Sequence, residues 1–149
     1  MMQFFLPSLQ IPLIIISLLI TSQYPDLSAQ EYNFSNYEEC FVQNMKGSKS
    51  DLSVATISDA CHKFFNGGAN SRETKYARCV LKYFSGTMSD LTTGVVTNAC
   101  TELYYANRAQ LRPEDIKYNE CLLEHAGQTS NELGIGYLQG ICRDKTISK

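Results

Sequence analysis

The residues with the richest chemistry are six cysteines, Cys40, Cys61, Cys79, Cys100, Cys121 and Cys142, and two histidines, His62 and His125. Thiolates and imidazoles can ligate zinc, and a thiolate can serve as nucleophile or redox centre. The spacing speaks against each. Zinc sites favour close pairs such as C-x2-C, whereas the nearest mixed pairs here are the adjacent Cys61 and His62, and Cys121 with His125. No C-x-x-C is present to suggest a disulfide oxidoreductase, and an even cysteine count leaves no unpaired thiol to activate. G-x-S-x-G, H-E-x-x-H and a phosphate loop are also missing. Adjacent Glu38 and Glu39 would point about 100° apart on a helix and make no acid–base pair. The expectation is a non-enzyme with no metal and no cofactor, whose cysteines form disulfides.

What positions those cysteines is a repeat. "YEECFVQNMKGSKSDLSVATISDAC" from Tyr37, "YARCVLKYFSGTMSDLTTGVVTNAC" from Tyr76 and "YNECLLEHAGQTSNELGIGYLQGIC" from Tyr118 align without a gap. Their common pattern is Y-x-x-C-x7-[ST]-x-[SN]-[DE]-L-x8-C, with start-to-start spacings of 39 and 42 residues. Such periods belong to helical-hairpin repeats. The fold class predicted is all-α: six helices in three tandem disulfide-stapled hairpins, over about 36–65, 71–106 and 113–144, forming a short repeat stack or bundle.

Each segment reads as helix, turn, helix. Tyr37, Cys40, Phe41 and Met45 share one helix face, as do Tyr76, Cys79, Val80 and Phe84, and Tyr118, Cys121, Leu122 and Ala126. Gly47, Gly86 and Gly127 mark the turns, the last one residue early. Two sets of caps compete for the second helices. Ser48, Thr87 and Thr129 stand three residues before Asp51, Asp90 and Glu132 as capping boxes, while Ser50, Ser89 and Asn131 stand immediately before them. Leu52, Ile57 and Cys61 are placed on one side of the second helix, with Leu91, Val96 and Cys100, and Leu133, Leu138 and Cys142, as their counterparts. Cysteines flanking a turn on facing helices predict Cys40–Cys61, Cys79–Cys100 and Cys121–Cys142, each 21 residues apart. A hairpin this small buries too little apolar surface to hold itself; a staple across such a loop contributes roughly 3 kcal/mol.

Between the segments lie "HKFFNGGANSRET" and "TELYYANRAQLRPEDIK". Asn66, Gly67 and Gly68 end the first hairpin, and Pro113 suits a first helical turn. Ser35, three before Glu38, reads as a capping box for the first helix. Gly134, Gly136 and Gly140 in the last helix predict close packing on a neighbour. The pairs Phe64-Phe65, Tyr83-Phe84 and Tyr104-Tyr105 fall at helix ends, where they either pack between hairpins or line a groove for an apolar ligand.

Residues 1–29 read as a cleaved secretory signal: an uncharged apolar run, then small Ser28 and Ala29 before the cleavage point. A membrane anchor is the rival. Ile11 to Ile20 is short against the roughly 20 residues a span needs, and Pro7 and Pro12 interrupt the wider stretch. Residues 30–149 then form a single helical domain with no stable membrane span. Thirteen basic and fourteen acidic residues follow the signal, too balanced to make a footprint for nucleic acid or an anionic membrane. Six cysteines behind a signal imply an oxidising compartment, so the expected localisation is secreted, periplasmic or extracellular. Asn33-Phe34-Ser35 is a glycosylation sequon, relevant only to a eukaryotic secretory path.

The run "NMKGSKSDLSVATISDAC" resembles a motif of small exported bacterial proteins known as four-cysteine proteins, in which a C-…-K-G-x-x-S-D-…-A-C run follows a signal peptide. The likeness is closest over Tyr37 to Cys61. It weakens through the second segment into the third, where Gln128 and Glu132 stand in place of the Gly and Asp. Six cysteines depart from the family's four. The resemblance implies a Gram-negative periplasmic or secreted location and carries no functional residues over. Insect odorant-binding proteins are also helical with six cysteines, but their C-x3-C pair is lacking here. The functional expectation is a non-enzymatic protein-interaction module whose partner is another protein; the alternative is a carrier of a small apolar ligand between hairpins.

Overall fold

The computed structural model describes residues 32, 34–84, 88–106, 108–129 and 131–147. The proposed signal, Asn33 of the sequon, and the turn residues Gly86 and Thr87 lie outside them. Among the described residues six α-helices follow in order: α1 (Tyr37–Met45), α2 (Asp51–Asn66), α3 (Arg72–Tyr83), α4 (Asp90–Tyr104), α5 (Pro113–Ala126) and α6 (Glu132–Ile147). A short 3-10 turn, Arg108–Gln110, precedes α5. The helices pair as three hairpins, and all three expected disulfides are present, with Cα separations of 5.9, 5.8 and 5.7 Å from the first to the third.

Local chemistry sets the helix starts. Ser50, Ser89 and Asn131 are the caps: their side-chain oxygens accept from the backbone N–H of Ser53, Thr92 and Gly134 at 3.1, 3.2 and 2.7 Å. The nearer set therefore wins, because it leaves Asp51, Asp90 and Glu132 in the first turn, where negative charge meets the positive end of the helix dipole. The start of α1 is shifted from the expected Ser35–Glu38 box. Asn36 is its cap, accepting from Glu39 N–H at 2.9 Å, and Glu39 reaches back to accept from Ser35 N–H at 2.7 Å. Met45 to Ser48 form a type II turn, closed by Ser48 N–H on Met45 C=O at 2.9 Å, with Gly47 at φ 85° where a side chain would strain. Gly127 differs. Its φ of −66° is right-handed, consistent with its displaced position in the third segment.

The hairpins stack in chain order. α2 packs on α3 and α4 packs on α5, while the second helices also touch in sequence, α2 on α4 and α4 on α6. The shared core holds Ile57, Val80, Val96, Leu103, Leu122 and Ile135 together with the disulfides. Buried hydroxyls tie the seams: Ser53 and Thr93 bond at 2.9 Å between α2 and α4, and Thr92 Oγ1 donates to Thr129 C=O at 3.3 Å. Tyr32 and Phe34, ahead of α1, pack over the first seam. Tyr32 Oη donates to Arg78 C=O at 2.8 Å, and the Tyr32 and Phe34 rings lie 5.7 and 6.1 Å from Phe64.

Two sequence expectations fail on geometry. Leu52, Leu91 and Leu133 are exposed, not turned inward with Ile57, Val96 and Leu138. Five helical residues separate the members of each pair, an offset of roughly 140° around the axis. Gly136 and Gly140 do not pack on a neighbour either, since a Cβ at either would meet nothing within 4 Å. Of the three, Gly134 alone is crowded, and by the residues just before α6, where a Cβ would lie 2.2 Å from Thr129 Oγ1.

Candidate functional site

Every cysteine is consumed by a disulfide, so no thiol is left for chemistry. The histidines stand apart. His62 is exposed and stacks on Tyr37 with ring centroids 4.1 Å apart, and His125 lies 3.9 Å from Glu124. Among the described residues no three His, Cys, Asp or Glu side chains converge as a metal site requires. No described helix is long and apolar enough to cross a membrane.

The aromatic pairs fill seams. Phe84 is buried, and Phe64, Phe65, Tyr83, Tyr104 and Tyr105 are half-buried against the core. Tyr76 and Tyr105 meet edge to face at 5.2 Å, as do Phe64 and Phe65. Two depressions stand out among the described residues. The larger, about 740 Å3, is an open cleft between the start of α5 and the end of α6, lined by Arg112, Glu114, Asp115, Lys117 and Arg143 among others. Arg112 grips both oxygens of Asp115 at 2.8 and 2.9 Å, and these hydrogen bonds hold the Asp115 carboxyl below its usual range. The cleft is therefore polar and in part self-neutralised. The smaller, about 230 Å3, is a more apolar groove between α4 and α5, with Val95, Tyr118 and Leu122 in its wall.

The least compensated feature is a bare apolar face on α6. Leu133, Tyr137 and Ile141 follow at i, i+4 and i+8 and are 71 %, 67 % and 52 % exposed. Glycines 136 and 140 lie beside them without side chains to shield the backbone. At the other end of the stack Val42 and Met45 of α1 are 60 % and 39 % exposed. Neither end was singled out from sequence. The signal was nonetheless available: aligning the segments on their cysteines sets Ile141 where Ala60 and Ala99 stand, and Val42 where Leu81 and Leu123 stand. Those four internal residues are all buried.

Three disulfides fit an oxidising, non-cytoplasmic compartment. No curated protein and no solved structure matches the chain. One family model, described as "Four-cysteine protein VF_A0006-like", matches twice, over residues 16–86 and 65–146. The likeness thus extends well beyond Tyr37 to Cys61 and takes in the third segment. The second match holds Cys79, Cys100, Cys121 and Cys142, which here are two complete hairpins with their staples. The first holds one complete hairpin and then α3, on which the two matches overlap. Together the two matches span most of the sequence, and the chain, with its six cysteines in three staples, belongs to the four-cysteine protein VF_A0006-like family.

Proposed function

We propose that this chain is an exported, non-enzymatic protein-interaction module of the periplasm or extracellular space. The observation that carries the reading is the row Leu133, Tyr137 and Ile141 on α6. A helix-length apolar row is costly to leave in water, and tyrosine with aliphatic neighbours is the composition of protein-binding patches. The staples support it as well: they hold the stack rigid, so a partner can dock without the chain first ordering itself. A carrier has less support, because the apolar groove of about 230 Å3 falls below the roughly 300 Å3 of a small-molecule site.

The test is a photo-crosslinking residue at Tyr137 in the exporting host. A discrete protein adduct, lost when the same residue is placed at exposed Glu114 instead, is the expected result. No adduct at Tyr137, or equal adducts at both positions, overturns the reading. The same sample tests export: its mass should lack residues 1–29 and six hydrogens for the three disulfides.

A further inference from the structure

The described hairpin stack exposes apolar residues on its first and last helices, and we propose that the two faces complete each other: α6 of one molecule receives α1 of a second copy, head to tail. The inference rests on the interaction-module reading and names its partner.

The internal seams are the template. α3 packs on α2, and α5 packs on α4. On the first helices of the second and third hairpins, the side turned away from the stapled cysteine carries Ala77, Leu81 and Phe84, then Asn119, Leu123 and Ala126, all buried. The counterparts on α1 are Glu38, Val42 and Met45, all exposed. On the second helices, Ala60 of α2 and Val95 and Ala99 of α4 are buried. Their counterparts on α6 include Tyr137 and Ile141, which are exposed. Each end thus presents one half of a seam that the molecule makes twice within itself. Val42, Met45, Tyr137 and Ile141 are apolar where the internal seams are apolar, and Glu38 is the exception, standing where Ala77 is buried.

Charge also fits. In the first internal seam the Arg78 guanidinium lies over the Phe64 ring at 5.7 Å. The repeat sets Glu39 at the position of Arg78 and Lys145 at the position of Phe64. A second copy docked as α3 docks on α2 brings the Lys145 ammonium to the Glu39 carboxylate, with Glu38 beside it. Asp144 takes the position of Lys63, whose ammonium lies 5.5 Å over the Tyr76 ring, so it falls near Tyr37. Such a joint is heterologous. It leaves a free α1 and a free α6 after each addition, so assembly continues beyond the dimer unless the ring closes. One helix-on-helix seam lies at the small end of interfaces, below roughly 1,200 Å2 in total, so affinity in the micromolar to millimolar range is expected.

The experiment is sedimentation equilibrium of exported, disulfide-intact protein over a wide concentration range, with Val42→Asp, Ile141→Asp and their mixture. Both sites are exposed, and circular dichroism verifies the fold of each variant. The expected result is a wild-type mass that climbs past the dimer, and about tenfold or more weaker self-association of each variant alone. An equimolar mixture should recover a one-to-one complex, because one intact α6 and one intact α1 remain to pair. Lys145→Glu should weaken assembly, and Glu39→Lys should restore it in the double variant. Self-association lost with Ile141→Asp but unaffected by Val42→Asp means a symmetric α6–α6 dimer and overturns the proposal. A monomer at all concentrations also overturns it. If Tyr137 then still crosslinks to a different protein, the module reading survives; if it crosslinks to nothing, both fail.

Discussion

Gly67 and Thr74 approach so closely that a Cβ on the glycine would lie 2.4 Å from Thr74 Oγ1 and 2.7 Å from the Lys63 carbonyl oxygen. Its φ of −79° makes no demand for glycine; space alone does. Here α2 ends and α3 begins, and Thr74 Oγ1 also donates to Gly68 C=O at 2.9 Å. Gly67→Ala must displace the Thr74 side chain and the last turn of α2 where α2 meets α3. The expected cost is about 1–3 kcal/mol, read from a denaturant titration. Gly68→Ala, where a Cβ meets nothing within 4 Å, should be close to neutral and serves as the control.

The staples are equal in loop length, each closing 21 residues, but not in position. Replacing Cys79 and Cys100 together by Ala should cost roughly 3 kcal/mol and lower the midpoint of the whole transition, because the second hairpin packs on both neighbours. The same change at Cys121 and Cys142 should loosen α5 and α6 first, as in a linear repeat array. Hydrogen exchange separates the outcomes: protection lost across all helices in the first variant, and mainly in α5 and α6 in the second.

Capping divides the serines that precede the second helices. Ser89→Ala removes the acceptor for Thr92 N–H and should cost about 1 kcal/mol. Ser48→Ala should be neutral or slightly stabilising, since Ser48 Oγ is buried without a hydrogen-bond partner. Thermal midpoints of the two variants, compared with wild type, check the pair.

Tyr32 and Tyr76 should set the alkaline limit of stability. Burial first, and for Tyr76 then the nearby Asp59 carboxylate, push both phenols from 10.0 up to about 12. The fold holds them neutral, so above pH 10 the unfolded chain releases protons that the folded chain retains. The stability tied to neutral phenols is fully present below pH 10 and is lost as pH rises toward about 12. Tyrosinate absorbance should show a late-ionising class, and its ionisation should coincide with loss of helix. Ionisation of all tyrosines near pH 10 in folded protein would contradict this.

Much of the architecture was legible because the segments repeat. Tyr, Cys and an apolar residue at i, i+3 and i+4 mark one helix, a constant 21-residue cysteine spacing marks the staple, and the helix rise brings the two sulfurs together. The caps were legible only as two competing sets. Choosing between them needs the backbone: Ser50, Ser89 and Asn131 win because each is extended or turned so that its side-chain oxygen meets the N–H three residues on. The outward turn of Leu52, Leu91 and Leu133 follows from helical geometry, since each lies about 140° around the axis from Ile57, Val96 and Leu138.

The amino-acid sequence by itself determined the local units: six amphipathic helices, their pairing, and which cysteines could meet. These depend on spacing along one or two helices, and spacing is written in the chain. Only the tertiary structure decided what lies outside. Ile141 and Ala99 occupy the same repeat position, yet one is half-exposed and the other fully buried. No property of the isoleucine itself makes that difference. It arises because α5 of the following hairpin packs on α4, while among the described residues no such helix follows on α6, and burial depends on which neighbour arrives.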